Sequence, residues 1–568
     1  MKFRQKYLSL WIAAMVATGS AHADDERASL EVLRQTTLNL INVLVDSGAL
    51  TRDKADELVR KAEQDAAKKV AQKKPDTSVR VQYVPEVVKN EIREQIKQEV
   101  LAQAKSERWA EPNAIPEWLD RITWEGDMRL RYQTDRFDKA NATPFEFAYE
   151  SYSLEAATTG IDPYGGTSTL FGGTRAADLS AVNSSGVPTA NTLTDRDRFR
   201  LRARLGMLAK ISDTWSGGLR LATGSSTDRV STNQSLGQDF NKYTFLVDRA
   251  YIKFDPTEWL TVTGGRIPSP WFSTDLVWDE DLSFEGVAAT LKPTFANNTL
   301  KPFLTVGAFP IKEENPPAAN GRWLYGVQGG TQWNIRSDTR LKVGLAWYDY
   351  RDFEGQVESP DSLDPIDGPT FGKPIVANYG QYEYSRNLRQ KGNTLFRTNA
   401  LGDTGKTSYW GLASKFRPIN LTASLDLAQF DPVHVVLTGD WVKNTAFDRA
   451  EIFRRTEGRI DLTDGSDRGY QYKLTVGMPQ VKNPRDWQVS ASYRYLGSDA
   501  VVDAFTDSDF GLGGTNLKGY ILGAQYGLDR NAVLNLRWLS ADSIDSFTLN
   551  PAHKFSVDVF QADVSVKF

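Results

Sequence analysis

The chain holds no cysteine in 568 residues and only three histidines. No disulfide can brace it, and no thiolate can act as nucleophile or metal ligand. Beyond the leader described below, the histidines are His434 and His553. Neither has recognisable partners for a serine–histidine–acid site or a transition-metal centre, so no catalytic residue, cofactor or metal is expected. No apolar run approaches the roughly twenty residues that a membrane-crossing helix needs. A basic surplus is missing too, with 68 Lys and Arg against 72 Asp and Glu. That balance offers nucleic acid no electrostatic footprint.

Aromatics, by contrast, are plentiful at 15 Trp, 21 Tyr and 27 Phe, while the mean hydropathy is −0.45. Many aromatics at low hydropathy suit a membrane barrel with a polar lumen and aromatic girdles. Met1–Ala23 reads as an export signal: Lys2, Arg4 and Lys6, an apolar run Tyr7–Ala17, then Ala21-His22-Ala23. Its removal leaves 65 basic side chains against 72 acidic ones.

Two periodicities follow. In residues 24–110, Leu30, Leu33, Leu40, Val43, Leu44 and Leu50 keep helical spacing, and Val88, Ile92, Ile96 and Val100 form one stripe of a later helix. So narrow a stripe on a charged helix wants partner helices, as in a coiled coil. A helical hairpin packed on itself is the competing reading. Residues 111–120, with Pro112 and Pro116, form a linker. From residue 121 the period becomes two. Trp124, Gly126, Met128, Leu130 and Tyr132 share one face; Glu125, Asp127, Arg129, Arg131 and Gln133 share the other. Five such polar side chains cannot face a dry core but can face water in a lumen.

The pattern predicts an all-β transmembrane barrel of about sixteen antiparallel strands with a short helical segment before it. The strands fall near 122–136, 195–211, 215–224, 245–254, 260–266, 284–292, 301–309, 323–335, 340–352, 407–430, 433–444, 469–478, 487–496, 518–527, 532–539 and 555–568. Short and long connections alternate between them, and an even count returns both termini to one side. At the end of the chain Phe560, Val564, Val566 and Phe568 share one strand face.

The strand containing DRDRFRLRARLGM places Arg198, Arg200, Arg202 and Arg204 on one face, at about 7 Å per step. Facing lipid, each would cost about 2–4 kcal/mol near the midplane, so the ladder belongs in the lumen. Arg129, Arg131, Arg220, Arg249 and Lys253 join it by parity. The connection 267–283, IPSPWFSTDLVWDEDLS, carries bulky aromatics and the acids Asp275, Asp279, Glu280 and Asp281. Its aromatics would be wasted in water, so the loop is expected to fold into the barrel with its acids facing the arginines. An exposed loop with scattered acids is the plainer alternative. The acids of Asp503–Asp509 read as solvated loop charge in preference to a cation site.

The leader, VRVQYVPEVV, PEWLDRITWEGDMRLRY, RFRLRAR, DRAYIKF, GGRIPSPWFSTDLVWDEDLSFEG and the terminal Phe together resemble a porin family of Gram-negative outer membranes. The resemblance implies an outer-membrane, general-diffusion channel for small hydrophilic solutes. It also implies a homotrimer, an inward third loop opposing a basic wall, and a terminal strand read by the barrel-assembly machinery, with lipopolysaccharide around the barrel. The helices would then lie in the periplasm, in contact with the cell wall. A substrate-selective or gated channel, and a barrel whose main role is tethering to the wall, are the rival functions.

Overall fold

The structure is a computed structural model that describes residues 121–143, 191–293, 299–314, 320–356, 382–385, 388–398, 410–456, 462–547 and 552–568, plus residue 60 and the backbone of 173–174. The export signal, the helical segment (residue 60 apart) and the linker lie outside the described residues.

Sixteen strands form the wall. The first eight are β1 (Ile122–Phe137), β2 (Arg196–Lys210), β3 (Trp215–Ala222), β4 (Leu246–Thr257), β5 (Leu260–Pro268), β6 (Ser283–Leu291), β7 (Leu300–Lys312) and β8 (Arg322–Arg336). The rest are β9 (Thr339–Arg351), β10 (Pro418–Phe430), β11 (Val433–Asn444), β12 (Arg468–Gly477), β13 (Trp487–Leu496), β14 (Leu517–Asp529), β15 (Ala532–Ser543) and β16 (Ser556–Lys567). Each runs antiparallel to its neighbour in sequence, and β16 pairs with β1 from Val557↔Phe137 to Lys567↔Asp127, so no edge is left open. At the seam Phe568 exchanges two backbone hydrogen bonds with Gly126, at 3.0 and 3.1 Å.

All sixteen expected strands are present, with one correction. The stretch expected at 407–430 begins its wall strand only at Pro418. Trp410–Leu412 instead pairs with Leu395–Arg397, which pairs with Gly173–Thr174 in a separate small sheet. Lys415 and Arg417 interrupt the apolar alternation there, and Pro418 cannot donate to a ladder, so it suits a strand start.

Side-chain alternation decides what each face meets. Trp124, Met128, Leu130, Phe199 and Leu205 are exposed on the outer wall, while Asp127, Arg129, Arg131, Gln133 and Asp135 of β1 are buried on the inner one. Trp215, Trp259, Trp333 and Trp487 are exposed at strand ends beside the short turns, where an aromatic girdle belongs. Phe560, Val564, Val566 and Phe568 likewise face outward.

The inner wall is not uniformly wet. Phe284, Phe309, Leu324, Tyr348 and Tyr350, from β6 to β9, are buried together with Trp271, Leu276 and Trp278 of the loop between β5 and β6. Trp271 stacks edge-on to Tyr348 at 5.3 Å, and Trp278 to Phe284 and Tyr348 at 5.0 and 5.1 Å. Each such ring pair adds about 0.5–1.5 kcal/mol beyond burial. Gly326 makes room for this: a Cβ there would sit 2.6 Å from the Trp271 ring.

Candidate functional site

The β5–β6 loop, Ser269–Leu282, is tied to inner side chains on several strands. Gln328 of β8 bonds both the N–H and the carbonyl of Phe272, at 2.7 Å each. Asp440 of β11 accepts from the backbone N–H of Thr274 at 3.1 Å and from its hydroxyl at 2.5 Å. Gln471 of β12 donates to Asp275 at 2.9 Å, and Arg494 of β13 pairs with Asp275 at 2.7 Å. Aromatic anchors on β6 to β9, with Gln328 among them, and polar anchors on β11 to β13 hold the segment inside the ring.

A second inner segment escaped the sequence reading. The β13–β14 connection, residues 497–516, buries Asp499, Asp503 and Asp507. Asp507 pairs with Arg494 at 2.9 Å, and Asp509 with Arg131 and Arg537 at 3.0 Å each. The carboxylates of Asp503–Asp509 are therefore paired or buried, not solvated. They looked like loop charge because nothing in the local pattern shows that Arg131 of β1, Arg494 of β13 and Arg537 of β15 reach them. The two segments also hold each other: Asp279 N–H donates to the Phe505 carbonyl at 2.9 Å, and Ser508 N–H to the Asp279 carboxylate at 3.0 Å.

Electrostatics follow from this crowding. Burial, with Asp507 and Asp281 beside it, pushes the Asp279 carboxyl well above the usual range. Burial also raises Asp507, against the pull of Arg494. For Asp275 and Asp509 burial acts upward too, but Arg494 in one case and Arg131 with Arg537 in the other outweigh it and hold both carboxyls low.

The expected basic wall is present, but its charge is largely matched by acids of the wall itself. Arg198 pairs with Asp135 at 3.0 Å, Arg202 with Asp127 at 2.9 Å, and Arg204 with Asp127 at 2.6 Å. Arg131 makes a two-pronged bond to Asp563, at 2.7 and 2.9 Å. Arg220 pairs with Asp248, and Arg249 reaches Ser283 at 3.4 Å. Lys253 stands apart near the short-turn end, 2.8 Å from Asp255. Of the four loop acids, only Asp281 meets the ladder, 3.0 Å from Arg204 and 3.9 Å from Arg202. Asp275 goes to the opposite wall, Asp279 to the second segment, and Glu280 is exposed. The expectation that all four face the arginines is thus corrected: the loop crosses the barrel, so its successive acids meet different walls.

Between segments and wall lies a cavity of about 560 Å³, lined by Arg129, Asn233, Glu280, Lys473, Gln525 and Arg537 among others. Its polar, water-accessible lining offers charges, hydroxyls and amides. His434 lies elsewhere, 2.7 Å from Asp426, which also binds Arg340 at 2.9 Å. Among the described residues no cluster of His, Asp or Glu could hold a metal ion.

A family model described as "putative porin" matches residues 34–568. Comparison with curated sequences gives no match. Among solved structures the chain is similar to Salmonella typhi OmpF in complex with daunomycin, at 9% identity over 79% of this chain and 97% of that one, with a TM-score of 0.37. It is also similar to the outer-membrane channel DcaP of Acinetobacter baumannii, at 9% identity over 79% and 97%, with a TM-score of 0.35. A high-pH structure of Pseudomonas putida OprB gives 10% identity over 80% and 96%, with a TM-score of 0.40.

Proposed function

Because the chain belongs to the putative porin family, we propose that its barrel conducts small hydrophilic solutes and ions passively across the outer membrane, through a passage narrowed by the two inner segments. A closed ring of sixteen strands is wide enough to hold a water-filled channel. The observation that carries the narrowing is the anchoring of Ser269–Leu282 to Gln328, Asp440, Gln471 and Arg494, on four different strands. Segment 497–516 fills part of what that loop leaves. Opposed charges across such a gap orient dipolar solutes and disfavour apolar ones. Most of those charges cancel in pairs, so Glu280 on one side and the less matched arginines on the other set the residual field. The second segment also favours a second reading, a substrate-selective or gated channel, in which 497–516 moves. In the trimer we propose, residues 24–110 order the subunits; a barrel lacking them that still weighs as a trimer in detergent would remove that role.

Single-channel recording in planar bilayers tests the function. Ohmic steps from the purified barrel, with Arg200→Gln moving the reversal potential towards cations, are the expected result. Small, voltage-dependent steps would favour the gated reading. No steps from a correctly folded barrel would refute a channel.

A further inference from the structure

The pairing pattern along the inner face of β2 leaves a gap at Arg200. Arg198, Arg202 and Arg204 each have a carboxylate within 3.0 Å. Arg200, in the middle of the same face, has no carboxylate within ion-pair distance among the described residues. Its guanidinium makes only long contacts, 3.4 Å to Gln133 and 3.5 Å to the Ser231 hydroxyl. Diagonally across the β1–β2 pair, Arg129 bonds Asn233 at 2.6 Å and lies 3.9 Å from Asp563, a carboxylate already engaged by Arg131. Among the described residues, the Nε atoms of both Arg129 and Arg200 are buried without a hydrogen-bond partner. Arg129, Arg131 and Arg537 share two carboxylates, Asp509 and Asp563, while Asp509, Asp228 and Asp135 act on Arg200 from beyond ion-pair distance. In a place where burial weakens screening by water, a guanidinium that lacks a close carboxylate attracts one strongly.

The surroundings are built rather than incidental. The β3–β4 connection turns back so that Gln234 and Ser235 pair with Leu201 and Arg200. That turn delivers Ser231 and Asn233 to the two guanidiniums. The Ser231 hydroxyl accepts from the side chain of Asn233 at 3.0 Å and from its N–H at 3.3 Å, which leaves its own proton for an outside acceptor. Arg129 and Asn233 line the lumen cavity. Two forked cations and a hydroxyl donor, with Arg129 on the cavity itself, match the planar, two-oxygen geometry of a carboxylate.

We infer that Arg129, Arg200 and Ser231 form a subsite for the carboxylate of small organic acids passing through the barrel. The inference rests on the channel reading above and names the class of solute that the same passage retains. Without such a site, carboxylates would feel only the averaged field of a nearly neutral wall.

The test measures block of KCl conductance by added malonate, with its dimethyl ester as the uncharged control. Wild-type channels should show saturable block by malonate and none by the ester. Arg200→Gln and Arg129→Gln should each weaken the apparent affinity about tenfold or more, the loss of one charge-assisted bond. Arg200→Lys, which keeps the charge but loses the fork, should weaken it severalfold. Lys342→Gln removes the same charge from a part of the inner wall where the lysine lies over the Phe272 ring, and should leave the block within about twofold. Equal weakening by all these variants would mean a diffuse field and overturn the subsite. So would stronger block by inorganic phosphate than by malonate, or conducting wild-type channels with no block. Those outcomes leave the channel standing, whereas folded protein that never conducts takes both readings down.

Discussion

Arg494 joins the two inner segments, and its removal should release them while the barrel stays closed. Its side chain is 2% exposed and pairs with Asp275 at 2.7 Å and Asp507 at 2.9 Å. Arg494→Gln would leave two carboxylates facing each other without their shared cation. Breaking a buried pair from one side costs about 3–5 kcal/mol. Asp275 keeps 35% side-chain exposure, so water screens part of that cost and the lower end, about 3 kcal/mol, applies. The cost falls on segment docking, because the wall strands keep their ladders on both sides. Roughly 3 kcal/mol corresponds to about two decades in the population of the open segment. Since the chain has no cysteine, Ala504→Cys supplies a clean reporter at a site 2% exposed. Its labelling by a water-soluble thiol reagent reads local opening. The Arg494→Gln background should speed labelling about a hundredfold, with gel mobility of the folded barrel unchanged. An increase below about threefold would refute the reasoning that this arginine pins the segments.

Docking should also depend on pH. Burial raises the Asp503 carboxyl to about 6, against the opposing pull of the Tyr384 hydroxyl and Arg389. A folded value raised above the free one means that the docked segment holds the proton more tightly. Its contribution is then complete below about pH 4 and is lost as pH rises through about 6. Asp279 and Asp507 act with the same sign, while Asp275 and Asp509 titrate below this window. Labelling at Ala504→Cys, corrected for thiol ionisation, should therefore rise across that interval and flatten in Asp503→Asn; a fall with rising pH would contradict the assignment. At the seam, a Cβ on Gly126 would sit 2.3 Å from the Phe568 ring and 2.9 Å from the Arg204 carbonyl. Gly126→Val should cost about 1–3 kcal/mol at barrel closure and lower the folded yield. Unchanged yield and melting would show that the terminal ring is free to move aside.

The alternation of single residues was enough to identify the wall. Residues such as Met128 and Arg129 differ so strongly in their cost of facing lipid that strand, parity and inner face follow from local pattern alone. The inward turn of Trp271 and Trp278 was legible for the same reason, since aromatic side chains in a polar setting ask for a dry surface. The pattern failed at 407–430, where neighbouring loops recruit Trp410–Leu412 into another sheet. It failed again at Asp503–Asp509, which is acidic in sequence yet buried against Arg131, Arg494 and Arg537. Composition cannot say which cation meets which carboxylate. That choice is made when segments hundreds of residues apart share one lumen, where close contact and low water content make each pairing decisive. The sequence by itself thus determined a barrel with a basic inner sector and an inward loop. Only the tertiary structure decided that Asp275, Asp279 and Asp281 go to three different places, that a second segment joins the first, and that Arg200 has no ion-pair partner among the described residues.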